Sequence, residues 1–101
     1  MVQLAIVNET GSLNHFYAFA ATLSNNKHVR FIEKNDEGEN IDWHFKYKRQ
    51  KMLLQFNVYN GVSIFSPDDK KIESAEKIAI RLKGDFETSI STGFKSPDQS
   101  K

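Results

Sequence analysis

Cysteine is missing from the 101 residues. Its absence excludes disulfides, thiolate metal sites and cysteine nucleophiles, and it suits a reducing compartment. Net charge is nearly missing too. Fourteen Lys and Arg against 13 Asp and Glu leave +1, so no global field favours nucleic acid or a membrane surface. No apolar run approaches the length of a membrane span. The opening residues Met1 to Glu9 lack a basic start and carry too short an apolar run for a signal peptide. The cytoplasm is therefore the expected location. Glycine is sparse, with five residues scattered at 11, 38, 61, 84 and 93. Each falls at an expected turn or helix end, which leaves no phosphate-cradling loop. His15, His28 and His44 show neither His-x-His nor His-x3-His spacing, and no metal or other cofactor is expected.

What is present is a folding signal. Eight Phe, three Tyr and one Trp supply a large aromatic core for a single domain covering residues 1–101. Trp43, Phe45 and Tyr47 alternate with His44, Lys46 and Lys48, the period of a strand with one dry and one wet face. Met52, Leu54, Phe56 and Val58 repeat that pattern. With Arg49 and Gln50 as the turn, Tyr47 faces Met52, Phe45 faces Leu54 and Trp43 faces Phe56, all on one face. Tyr59-Asn60-Gly61 closes the next hairpin. A two-residue Asn-Gly loop breaks the dry face, whereas a three-residue loop with Gly61 left-handed keeps it by pairing Val58 with Val62 and Phe56 with Ile64.

The flanking segments complete an α+β order. Val2, Leu4 and Ile6 alternate as a short first strand. Ser12 is an N-cap for a helix over about 12–25, with Leu13, Phe16, Phe19, Ala20 and Leu23 as its apolar stripe. Asn25 or Asn26 can end that helix in the left-handed conformation. A strand from His28 to Lys34 puts Val29 and Phe31 on one face, and Asn35 to Asn40 reads as a polar hairpin loop. Ser66-Pro67-Asp68-Asp69 starts a second helix over about 67–83, buried through Ile72, Ala75, Ile78, Ala79 and Leu82 and ended by Gly84. Phe86, Thr88 and Ile90 suggest a last short strand, and Lys95 to Lys101 a frayed tail. The expected fold is a mostly antiparallel sheet, with a four-strand meander over about 28–65. Extra short strands flank it, and two helices pack on one face.

Chemistry is thinner than structure. His44 between Asp42 and Lys46 has the makings of a general base, but a solvent-facing strand histidine accounts for the same residues. Asp68, Asp69, Glu73 and Glu76 suit the positive end of a helix dipole without invoking a cation. Trp43, Phe45 and Tyr47 interleave with Lys46, Lys48 and Arg49 as single-strand binders do. Aromatics that fill a core cannot also stack bases, so a nucleic-acid module at the basic hairpin tip, Lys46 to Lys51, is the second reading. The acidic stretch Glu33, Asp36, Glu37, Glu39 and Asp42, opposed only by Lys34, offers an anionic contact surface for a basic partner.

The segment Trp43-x-Phe45-x-Tyr47, then Leu53 or Leu54, then Tyr59-x-Gly61-Val62-Ser63-Ile64-Phe65, resembles small bacterial immunity proteins of polymorphic toxin systems. Contact-dependent growth inhibition is the best-known example. The helix containing Phe16-Tyr17-Ala18-Phe19-Ala20 and the helix that follows the strands keep the same order, so the resemblance covers about residues 12–83. It implies a cytoplasmic non-enzyme that binds the C-terminal toxin domain of a neighbouring cell's effector and occludes its active site or substrate surface. Many such toxins are nucleases with basic clefts. The matching positions are core and turn residues, so no family binding residue carries over. Charge alone nominates Asp36, Glu37, Glu39 and Asp42 as partner contacts.

Overall fold

A computed structural model describes residues 1–10, 12–37 and 39–99; for Glu37 and residues 89–99 it describes the backbone alone. Five strands and two helices follow in the order β1 (Val2–Asn8), α1 (Leu13–Ser24), β2 (Val29–Glu37), β3 (Asn40–Tyr47), β4 (Gln50–Asn57), β5 (Gly61–Ser66) and α2 (Ile72–Gln99). The strands form one antiparallel sheet ordered β1-β5-β4-β3-β2. The meander and the added first strand are as expected. The chain is α+β.

Both helices cover one face. Phe16, Phe19, Ala20 and Leu23 of α1 join Ala75, Ala79, Leu82 and Phe86 of α2 in a single core with Phe45, Met52, Leu54, Phe56, Val62 and Ile64. Each fully buried large side chain contributes roughly 1.5–3 kcal/mol relative to exposure. The helices also meet directly, since the Phe19 and Phe86 rings pack edge to face at 5.1 Å. On the uncovered face Leu53 is nonetheless only 2% exposed, with His44 and Phe65 as its cross-strand neighbours.

Ser12 does cap α1, its hydroxyl accepting from the His15 N–H at 3.4 Å. Asn25 ends the helix in a right-handed conformation, φ −84°, rather than the left-handed one expected. Its N–H still reaches the carbonyls of the last turn, which removes the need for a reversal.

Two hairpins are offset from expectation by two residues. Tyr47 pairs with Gln50, Phe45 with Met52, Trp43 with Leu54 and Ile41 with Phe56. The turn is thus Lys48-Arg49, with Lys48 at φ 58°. A positive φ at the first central residue matches the right-handed twist of the flanking strands. In the next hairpin Phe56 pairs with Val62 and Leu54 with Ile64. Its loop is three residues long, Val58-Tyr59-Asn60, and Val58 lies outside the ladder. Gly61 is left-handed at φ 80° as expected. A two-residue slip preserves which face each strand side chain occupies, so the core assignment survives the wrong register except at Val58, which the slip moves from the dry face into the exposed loop.

The segment Asn35 to Asn40 is ladder rather than loop. Pairing continues to Glu37 opposite Asn40, and only Gly38 and Glu39 lie between. Polar composition misled here because a two-stranded ribbon reaching into water can be polar on both faces.

The second helix departs most. Ser66 cannot cap it, because Ser66 is buried and still paired in β5 with Val2 of β1. Its hydroxyl donates to the Asp68 carbonyl at 2.7 Å, and Asp68 Oδ1 accepts from the Lys70 N–H at 2.7 Å, a side-chain-closed turn. Lys71 at φ 59° then redirects the chain, and helical bonding starts with the Ala75 N–H on the Lys71 carbonyl. At the other end Gly84 does not terminate α2, and the strand expected over Phe86 to Ile90 is helix. Phe86 lies four residues after Leu82 and reaches the core. Its burial outweighs the roughly 1 kcal/mol that a mid-helix glycine costs. Helical backbone extends through residues 95–99, while residues 100 and 101 lie outside the described part.

Candidate functional site

The meander sorts charge to opposite ends. The β2–β3 and β4–β5 turns lie at one end, as the Glu37–Asn40, Asn40–Asn57 and Asn57–Gly61 pairs require. The β1–α1 connection joins them there, because Asn8 opposes Val62 at the start of β5. This end carries Glu9, Asp36, Glu39 and Asp42, the first three exposed. The β3–β4 turn and the β5–α2 connection lie at the other end, where Lys46, Lys48, Arg49, Lys51, Lys70 and Lys71 outnumber Asp68 and Asp69. Eight residues of β3 separate the two ends, roughly 27 Å at the usual rise of a strand. That span is about three screening lengths at physiological salt, so each end presents its own field.

The four nominated carboxylates share the β2–β3 hairpin but not one face. Asp36 pairs in register with Ile41, on the helix-covered side, and accepts the Trp43 indole N–H at 2.7 Å. Asp42 pairs with Asn35 on the uncovered side and accepts from Gln55 Nε2 at 2.9 Å. Glu39 sits in the two-residue turn, exposed. Glu37 closes the ladder opposite Asn40. Asp36 and Asp42 therefore do structural duty, while the Glu39 side chain is exposed in the turn.

Trp43 is half-buried rather than fully covered. Its ring packs edge to face on Phe16 at 5.1 Å, Phe31 at 5.6 Å and Tyr17 at 6.0 Å. The Lys34 ammonium lies 4.4 Å from the indole centroid, a cation–π contact of about 0.5–1 kcal/mol at an exposed site. Phe45 and Tyr47 are buried. The three strand aromatics are therefore occupied by the fold, and none is a free platform for a base.

Charge reasoning missed the aromatic tip beside the carboxylates. Tyr59 is 75% exposed and Val58 48% exposed. Asn57 builds this tip. Its Oδ1 accepts from the N–H groups of Tyr59 at 2.8 Å and Asn60 at 3.2 Å. Its Nδ2 donates to Asn40 Oδ1 and ties the β4–β5 turn to the acidic hairpin. Beneath the tip, Gly61 sits against the backbone of Asn8, Glu9 and Thr10. Asn-x-x-Asn-Gly was a visible turn signal. Its position beside Glu39 depends on register and could not be read from the chain.

The other candidates stay separate. His44 pairs in register with Glu33 on one side and Leu53 on the other, on the uncovered face. His28 packs on Tyr47 at 5.5 Å, the rings tilted by 59°, at the basic end. His15 Nδ1 is buried and has no hydrogen-bond partner among the described residues. Among the described residues no three His, Cys, Asp or Glu side chains come together as a metal cluster, and no helix is long and apolar enough to cross a membrane. Compared with known proteins, the chain matches no family model, no curated protein and no solved structure.

Proposed function

We propose that this protein is a cytoplasmic immunity-type inhibitor, a non-enzyme that binds a cognate bacterial toxin domain and covers its active site or substrate surface. The observation that carries this reading is the juxtaposition of exposed Tyr59 and Val58 with Glu39, Asp36 and Glu9 at one end of the sheet. An exposed aromatic anchor at the same end as these carboxylates fits a basic, partly apolar cleft such as a nuclease uses for its substrate. Tyrosine is enriched among residues that dominate binding energy, and the surrounding charge steers encounter and sets orientation. The strand and turn resemblance to immunity proteins supports the same reading. Binding is stoichiometric and needs no cofactor. Of the four carboxylates nominated by charge, Asp36, Glu37, Glu39 and Asp42, Glu39 joins Tyr59 as a principal contact, while Asp36 and Asp42 hold the hairpin in shape.

The test is growth rescue. The chain is co-expressed in bacteria with the C-terminal toxin domain of the effector encoded beside it. Rescue by the natural chain, lost with Glu39→Lys plus Tyr59→Ala at unchanged melting temperature, is expected. Unrescued growth, or the lack of any such effector gene, overturns the proposal.

A further inference from the structure

The basic end holds a cleft that the inhibitor reading does not use. Its walls are the β3–β4 turn and the first turns of α2. Lys48, Arg49, Lys71, Lys77 and Arg81 line it together with Tyr47, Gln50, Ser74 and Ile78, around a volume of about 420 Å3. Among the described residues five cations and no carboxylate line this hollow. A second, smaller hollow shares Arg49, Gln50 and Lys71 with it and adds Lys51 and Lys70, with Asp68 as its sole acid. The cations come from two separate segments, Lys48 to Lys51 and Lys70 to Arg81, so the hairpin-tip lysines alone understate the site.

The backbone points the same way. Among the described residues Lys48 and Lys71 are the two non-glycines with positive φ, at 58° and 59°, and both line the cleft. A side chain in that conformation costs about 1–2 kcal/mol, which glycine would avoid. Lysine occupies both positions; Lys48 lines the larger hollow and Lys71 lies where the two hollows meet.

We propose that this strip binds the phosphate backbone of a single-stranded nucleic acid, without preference for sequence. Two hollows joined at Arg49 and Lys71 form a track for successive phosphates, where a lone phosphate needs only one. Bases receive little stacking, because the Tyr47 ring is buried and already packed on His28 at 5.5 Å. The low net charge does not decide against binding, since Asp36, Glu39 and Asp42 lie at the far end of β3, and of the nearby acids Asp68, Asp69, Glu73 and Glu76 only Asp68 lines either hollow. The acidic end plays no part, so this proposal stands or falls separately from the inhibitor reading.

The experiment is fluorescence anisotropy with a labelled 12-nucleotide single-stranded DNA of mixed sequence, titrated with the full chain between 50 and 200 mM salt. With five phosphates neutralised, the plot of log affinity against log salt has a slope of about −3.5. Lys77→Gln with Arg81→Gln, on the exposed face of α2, lowers the slope to about −2 and weakens binding at least tenfold. Glu39→Gln at the opposite end leaves both unchanged. No anisotropy change at 100 μM protein and 50 mM salt overturns the proposal. So does equal binding by the Lys77/Arg81 variant, or displacement by tripolyphosphate at matched phosphate concentration.

Discussion

Replacing either of two glycines by alanine separates this fold from the alternatives most sharply, because the same change has opposite signs at the two sites. At Gly61, φ is +80°, and an added Cβ would lie 2.8 Å from Glu9 C and 2.9 Å from Thr10 O, nearer still to the Asn8 carbonyl oxygen. All three are backbone atoms of a neighbouring segment and cannot rotate away. The left-handed conformation alone costs a side chain about 1–2 kcal/mol, and overpacking adds about 1–3 kcal/mol. Gly61→Ala is therefore expected to lose about 2–5 kcal/mol, a large share of the roughly 5–15 kcal/mol that holds a domain of this size. The melting temperature should fall by about 10–25 °C. At Gly84 nothing lies within 4 Å of an added Cβ, and the residue is inside α2. Gly84→Ala should gain about 0.5–1 kcal/mol and raise melting by several degrees. Thermal and urea unfolding followed by circular dichroism read both. A Gly61→Ala protein melting within 2 °C of the natural chain would refute the packing of β5 on the β1–α1 connection. A destabilised Gly84→Ala would restore a helix ending there.

Leu54 is fully buried at the centre of the sheet, so Leu54→Ala should cost about 2–5 kcal/mol by urea denaturation; a loss below 1 kcal/mol would contradict the core. Asn57→Ala removes the acceptor that organises Tyr59 and Asn60 and should cost about 1–2 kcal/mol. Amide exchange of those two N–H groups should quicken, and unchanged protection would count against the turn. Lys48→Gly relieves a positive φ and should stabilise by up to about 1 kcal/mol while weakening the anisotropy signal with single-stranded DNA. Lower stability would place Lys48 outside the left-handed region.

The dry face was legible because period-two alternation survives an even slip. Tyr47, Phe45 and Trp43 share a face with Met52, Leu54 and Phe56 whether the turn is Arg49-Gln50 or Lys48-Arg49. The turn itself was illegible, since a left-handed lysine is chosen by strand twist and not by its own preference. Ser66-Pro67 looked like a helix start by local chemistry. The ladder with Val2 decides otherwise, and nothing near Ser66 announces a partner more than sixty residues earlier. Phe86 suited either period, and its contact with Phe19 settled the matter in favour of helix. The acidic stretch was visible as composition. Its partition between Asp36 on Trp43, Asp42 on Gln55 and exposed Glu39 was not, because each role is set by a cross-strand neighbour.

Affinity for the toxin domain proposed as partner, measured by calorimetry for the natural chain and for one double variant at each end, addresses the recognition surface most directly. Glu39→Lys with Tyr59→Ala should weaken binding about 100-fold or more, since one aromatic anchor and one reversed charge together exceed about 2.7 kcal/mol. Lys77→Gln with Arg81→Gln should leave it within twofold. The reverse pattern would move recognition to the basic end and contradict the account.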